Sequence, residues 1–117
     1  MLKYLIALMI FSFVGVANAE VYKITGYCPC YQCCHKTDGI TASGIQAHKG
    51  IVACNHYDFG KFLDIEGIGI VKVEDRGSKK HFGTMKRIVK HIDVFFPTHR
   101  QALNFGVRYL NVMEVKN

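Results

Sequence analysis

Apolar and polar positions alternate at a spacing of two along much of this chain, and glycines or polar clusters interrupt the alternation every few residues. Residues 21–27 (Val-Tyr-Lys-Ile-Thr-Gly-Tyr) are rich in β-formers and predict a strand. Residues 51–54 predict a short buried strand. Residues 62–65, 69–73 and 92–95 predict three more between glycine-containing turns, and residues 108–115 predict a closing strand. Residues 28–39 and 41–50 read as loop, the second punctuated by Gly44 and Gly50. Only residues 98–105 look helical: Thr98 is a natural cap, Ala102, Leu103 and Phe105 give one apolar side, and Gly106 ends the run. Six or seven short strands with one short helix near the C-terminus predict an all-β (mainly β) fold, a small β-barrel. No repeat, low-complexity tract or linker interrupts it.

The N-terminus does not follow this pattern. Lys3 precedes an apolar run over residues 4–16, and Ala17-Asn18-Ala19 matches a small-x-small cleavage site. The run is too short to cross a hydrocarbon core of ~30 Å comfortably. Residues 1–19 are therefore expected to be a signal peptide and residues 20–117 one exported domain, periplasmic or extracellular, with no membrane span after cleavage. Removing Lys3, the leader's one charged residue, lowers the formal net charge from +6 to +5. A basic exported domain favours anionic polymers such as wall glycans, but the basic residues are scattered, so charge alone names no partner. No nucleic-acid partner is expected.

Cys28, Cys30, Cys33 and Cys34 fall within seven residues, and Cys54 lies further on. In an oxidising compartment all five are disulfide candidates, with at least one left unpaired in a monomer and the pairing open. A metal site with His35 as an added ligand, and free or redox-active thiols, are the alternatives. Bunched thiols, including an adjacent pair, are unlike the separated knuckles of structural zinc, so no metal and no cofactor are expected. The six histidines are dispersed and form no His-Glu-x-x-His pattern.

Two carboxylates mark the candidate chemistry: Asp75 in Val73-Glu74-Asp75-Arg76-Gly77 and Asp93 in His91-Ile92-Asp93-Val94-Phe95. Carboxylates at strand ends are often held there for chemistry. The apolar neighbours Ile92, Val94 and Phe95 are expected to desolvate Asp93 and raise its pKa. The plainer alternatives are a turn cap for Asp75 and a solvent-facing strand residue for Asp93. Tyr27 and Tyr31 can stack on sugars or simply pack. His91 shares a strand face with Asp93.

These two motifs follow Gly39-Ile40-Thr41-Ala42-Ser43-Gly44, Gly50-Ile51-Val52-Ala53-Cys54-Asn55 and Phe59-Gly60, and precede Ala102-Leu103-Asn104-Phe105-Gly106. In that order they resemble the three-aspartate (3D) domain, the catalytic barrel shared with the membrane-bound lytic transglycosylase A family and firmicute wall-remodelling proteins. The resemblance covers roughly residues 21–115. It implies a six-stranded double-psi β-barrel, a lytic transglycosylase activity on peptidoglycan glycan strands, and a monomer. Its second and third aspartates fall on Asp75 and Asp93, and Asn55 stands where the first belongs. Residues 78–90 form a longer, more basic insert than the family's turn.

The resemblance further implies that Asp93 and Asp75 are catalytic, and that Thr41, Ser43, Gly44 and Asn55 bind substrate. A lytic transglycosylase can use one carboxyl to protonate the bridge oxygen and then accept the proton of the sugar's own 6-hydroxyl, which attacks to give an anhydro product. Asp93 is the candidate for that acid/base. Two other readings are a non-catalytic glycan-binding module on the same barrel and a phage or mobile-element wall protein.

Overall fold

The computed structural model describes residues 19–116. The signal peptide expected at residues 1–19 lies outside the described residues except for Ala19. The elements are β1 (Glu20–Tyr27), α1 (Tyr31–Cys34), β2 (Ile51–Ala53), β3 (Phe62–Ile65), β4 (Gly69–Asp75), α2 (Lys79–Phe82), β5 (His91–Phe95), α3 (His99–Phe105) and β6 (Arg108–Glu114). The six strands close into a barrel in the order β1-β5-β2-β4-β3-β6. Two neighbouring pairs are parallel, β1 with β5 and β2 with β4. The remaining pairs are antiparallel, and β6 returns to β1 to close the wall. The expected mainly-β barrel is therefore present. Among the described residues no helix is long and apolar enough to cross a membrane.

Two single-turn helices add to the one expected, α1 in a stretch that reads as loop and α2 in the basic insert. Their turns close through Cys34 N–H to the Cys30 carbonyl (2.9 Å) and Phe82 N–H to the Ser78 carbonyl (2.8 Å). A four-residue helix is too short to display a 3.6-residue period, so no pattern announced it. α3 is the predicted helix. Thr98 and Gln101 form a reciprocal capping box at its start, and Gly106 ends it.

The pleat sorts side chains into two sets. Ile24, Val52, Val73, Ile92 and Val94 point into the barrel and fill it with Leu63, Ile65, Val71 and Val112. The alternate residues of β1, β2 and β5 point outward, where Tyr27, Ile51, Ala53 and Phe95 form a second apolar cluster beneath Cys33, Cys34, Ile45 and Ala47. On β4 strict alternation would place Asp75 inside with Val71 and Val73. It does not, because Val52 pairs with Val73 whereas Ala53 pairs with Asp75, leaving Glu74 as an extra residue. This bulge turns Asp75 to the outer face.

Candidate active site

The outer face of β1, β5, β2 and β4 is the floor of a cleft of about 440 Å³. Ala53 of β2 pairs with Asp93 on one side and Asp75 on the other. Adjacent paired residues share a face, so both aspartates project beside this one methyl group, their backbones two strand spacings (~10 Å) apart. Both aspartates and Ala53 line the cleft. A small residue between them leaves room for a ligand.

Asp75 is held from three directions. Tyr27 donates its hydroxyl to Oδ2 (2.8 Å), and the backbone N–H groups of Ala42 and Arg76 donate to Oδ1 (both 2.9 Å). Burial, and then the charge of Asp75, push the Tyr27 hydroxyl far up, so it remains a donor. Tyr27 is thus a buried positioning residue, whereas Tyr31 on α1 is exposed. Arg76 is also fixed: its guanidinium stacks on Phe59 at 3.9 Å and donates to the Cys54 carbonyl at 2.6 Å.

Asp93 has a different environment. Thr25, its partner across the β1–β5 ladder, donates to Oδ1 at 3.0 Å. That hydroxyl also lies 2.9 Å from His91 Nε2, and the other ring nitrogen, Nδ1, faces the His81 carbonyl at 3.3 Å. His91 is buried and stacked on Phe82, with ring centroids 3.9 Å apart. Its own burial lowers its pKa and favours the neutral ring. Desolvation pushes the Asp93 carboxyl up to about 6; the Thr25 hydrogen bond opposes that rise and the charge of Asp75 adds to it. Of the three apolar neighbours the sequence suggested, only Phe95 shares the outer face with Asp93. Ile92 and Val94 lie inside the barrel, on the opposite face from Asp93.

The other expected site residues divide. Thr41 is buried and lines the cleft. Ser43 turns to Glu74, donating to Oε2 at 2.6 Å, and touches Thr41 Oγ1 at 3.0 Å, so it supports the wall. Gly44 occupies a turn at φ +92°, its N–H bonded to the Thr41 carbonyl (2.9 Å). Neither Ser43 nor Gly44 is among the lining residues. Asn55 is buried behind the cleft, where its Nδ2 donates to the carbonyls of Gly77 (2.9 Å) and Gly83 (2.8 Å) and its Oδ1 accepts from Gly77 N–H (2.8 Å). It fastens the insert rather than facing a ligand.

That insert does reach the cleft, through Ser78 and Phe82. Phe82 lies so close over Gly77 that a Cβ there would stand 2.2 Å from the ring. Thr25 and His91 are the partners that sequence reasoning undervalued; residue 25 is placed by ladder register, which no local pattern reports.

All five cysteines are free thiols. The expected disulfides are not formed, although Cys28 lies 2.9 Å from Cys30 and 3.4 Å from Cys33, sulfur to sulfur. Cys34 points away from these, to the Cys28 carbonyl. Cys54 is buried in the barrel core, 3.5 Å from His56 Nδ1. Burial pushes the Cys28 thiol up to about 12, while the hydrogen bond from Cys28 pulls Cys30 down to about 6.

No protein-family model matches this chain, and no curated protein matches it.

Proposed function

We propose that the protein is an exported peptidoglycan-cleaving enzyme of lytic transglycosylase type, with Asp93 as its acid/base. The observation that carries this reading is the contrast between two aspartates flanking Ala53 in one cleft. Asp93 has its pKa raised to about 6, so near neutral pH it can give up a proton and take one back. Asp75 has both carboxyl oxygens engaged by internal donors, which hold it in one orientation. A hydrolase ordinarily requires a second working carboxylate as nucleophile or base. An arrangement with one carboxyl left open to the substrate suits chemistry in which the sugar's own 6-hydroxyl is the nucleophile.

In this mechanism Thr25 occupies Asp93 Oδ1 and leaves Oδ2 for the substrate. Protonated Asp93 gives its proton to the oxygen bridging MurNAc and GlcNAc as that bond breaks. The resulting carboxylate then takes the proton of the 6-hydroxyl as the anhydro ring closes. Asp75, held in place by its three donors, stabilises the oxocarbenium-like centre between these steps. The parallel β1–β5 and β2–β4 pairs of the closed barrel support the finer reading of a double-psi barrel and of the 3D-domain resemblance.

The test is mass spectrometry of soluble products after incubation with purified peptidoglycan. Muropeptides ending in 1,6-anhydro-MurNAc are expected. Reducing-end products would replace the transglycosylase reading with hydrolysis. Retention on the wall without release would mark a glycan-binding module instead.

A further inference from the structure

Cys28, Cys30, Cys33 and His99 bring four ligand atoms within 4.8 Å of one another. His99 Nδ1 lies 3.5 Å from Cys28 Sγ, 3.5 Å from Cys30 Sγ and 3.6 Å from Cys33 Sγ, so the ring faces all three sulfurs. Ligands bound tetrahedrally to zinc, at ~2.3 Å for sulfur and ~2.0 Å for nitrogen, lie ~3.5 Å apart for a nitrogen–sulfur pair and ~3.8 Å for two sulfurs. The imidazole already stands at that spacing, and the Cys28–Cys33 separation of 3.4 Å is close to it.

The barrel accounts for the convergence. β1 and β5 run parallel, with Tyr27 opposite Phe95. The chain leaving β1 into Cys28 and the chain leaving β5 towards His99 therefore emerge at the same edge. The single turn of α1 brings Cys33 back over Cys30, with Cys33 N–H bonded to the Cys30 carbonyl at 3.2 Å. His99 is the first residue of α3, held by the Thr98–Gln101 capping box. Cys34 is turned out of the set by its bond to the Cys28 carbonyl. His35, the histidine nearest in sequence, lines the cleft instead.

We propose that Cys28, Cys30, Cys33 and His99 form a structural zinc site that clamps the loop after β1 to the start of α3. Three thiolates and one imidazole complete a four-coordinate shell with no open position, which makes the site structural rather than catalytic. Loading releases the thiol protons to solvent, so affinity falls as pH is lowered. Pro29, Cys33, Cys34, His35 and Lys36 line the cleft. The metal would therefore fix one wall of the cleft from behind. The proposal does not depend on what the cleft binds.

The experiment loads the reduced protein with Co²⁺ and then with Zn²⁺. Expected are about one metal per chain, intense visible bands of tetrahedral thiolate-bound cobalt, and their loss when zinc displaces it. His99→Ala should weaken zinc binding at least tenfold, and His35→Ala should leave it unchanged. An octahedral spectrum, or no metal uptake by folded reduced protein, would overturn the site. So would a tetrahedral spectrum that survives His99→Ala. If His99→Ala fails to fold, the wild-type spectrum and metal count decide. Non-reducing peptide mass spectrometry of the exported protein supplies the last arm: a disulfide joining any two of Cys28, Cys30 and Cys33 would show that the thiols are a redox pair and not a zinc shell.

Discussion

The floor and the roof of the cleft are built by different means. The floor is sheet: Thr25, Asp93, Ala53 and Asp75 occupy neighbouring ladder positions on four strands, each backed by the filled barrel interior. The roof, residues 28–47, contains one helical turn and one isolated bridge, Ile40 with Gln46. Backbone ladders fix the floor, whereas side chains hold the roof. A proton donor is useful only when its position is set to a fraction of an ångström, so the acid/base belongs on the floor. The roof can differ in sequence provided something pins it, and the cysteine cluster is where it is pinned.

The strongest way to break this comparison is Asp93→Asn. If the floor carries the chemistry, release of anhydro product should fall about 10²–10⁴-fold, the usual contribution of a positioned acid/base, while retention on the wall survives. Stability should move the other way. The folded pKa of Asp93 is raised from 3.8 to about 6, so folding favours the protonated form. Below pH 3.8 the group is protonated in both states; as pH rises through about 6 its ionisation costs the folded state stability. The Asn variant should therefore match wild type near pH 3.5 and exceed it by about 3 kcal/mol at pH 7.5, seen as a higher thermal midpoint. Lost activity without added stability at neutral pH would show that the carboxyl is not held under electrostatic tension.

Asn55→Asp comes next, and it tests whether the resemblance's missing aspartate belongs to the floor. Restoring a carboxylate there would direct an oxygen at the carbonyls of Gly77 and Gly83, where an amide N–H₂ now donates. Two buried carbonyls would lose their donor and a buried charge would have only the Gly77 N–H as partner, a loss of about 3–4 kcal/mol. The expected outcome is a thermal midpoint lower by about 10 °C or more and no gain in activity. If Asn55→Asp proved stable and more active than wild type, this position would return to the site.

Removing the metal should affect the roof alone. Chelation of the zinc-loaded protein is expected to speed proteolytic cleavage within residues 28–47 about tenfold or more, with the barrel still resistant. Equal exposure of both regions would mean that floor and roof unfold together and that the comparison draws a boundary the molecule does not have.

How far the sequence revealed each region follows the same division. Strand alternation and the Thr98 and Gly106 boundaries of α3 are local, so the barrel's elements were legible, as was the pair Asp75 and Asp93. The bulge at Glu74 breaks a period of two only once, so the face on which Asp75 emerges was not. His99 was missed as a partner of the cysteines because it lies 66 to 71 residues from them, joined only through the β1–β5 register. Asn55 was misleading for a related reason: the motif alignment places it at the end of β2, but one of the two carbonyls it holds, that of Gly83, belongs to an insert that the alignment treats as extra.

The mildest test concerns the fine tuning of the floor. Thr25 donates to Asp93 Oδ1 and lies within hydrogen-bond distance of His91 Nε2, so it links a neutral imidazole to the proposed acid/base. Thr25→Val keeps the shape and removes the hydroxyl. The lost hydrogen bond favoured the ionised carboxylate, so the Asp93 pKa should rise above about 6. Catalysis requires the protonated form, and activity falls as pH rises through that pKa. The alkaline limb of the profile of product release against pH should therefore move upward, by about half to one pH unit for a single charge-assisted hydrogen bond. His91 loses its Thr25 partner in the same variant, but as a neutral ring on the far side of Thr25 it adds no charge to the shift. An alkaline limb that stays in place would assign it to a group other than Asp93, and the acid/base would have to be sought elsewhere in the cleft.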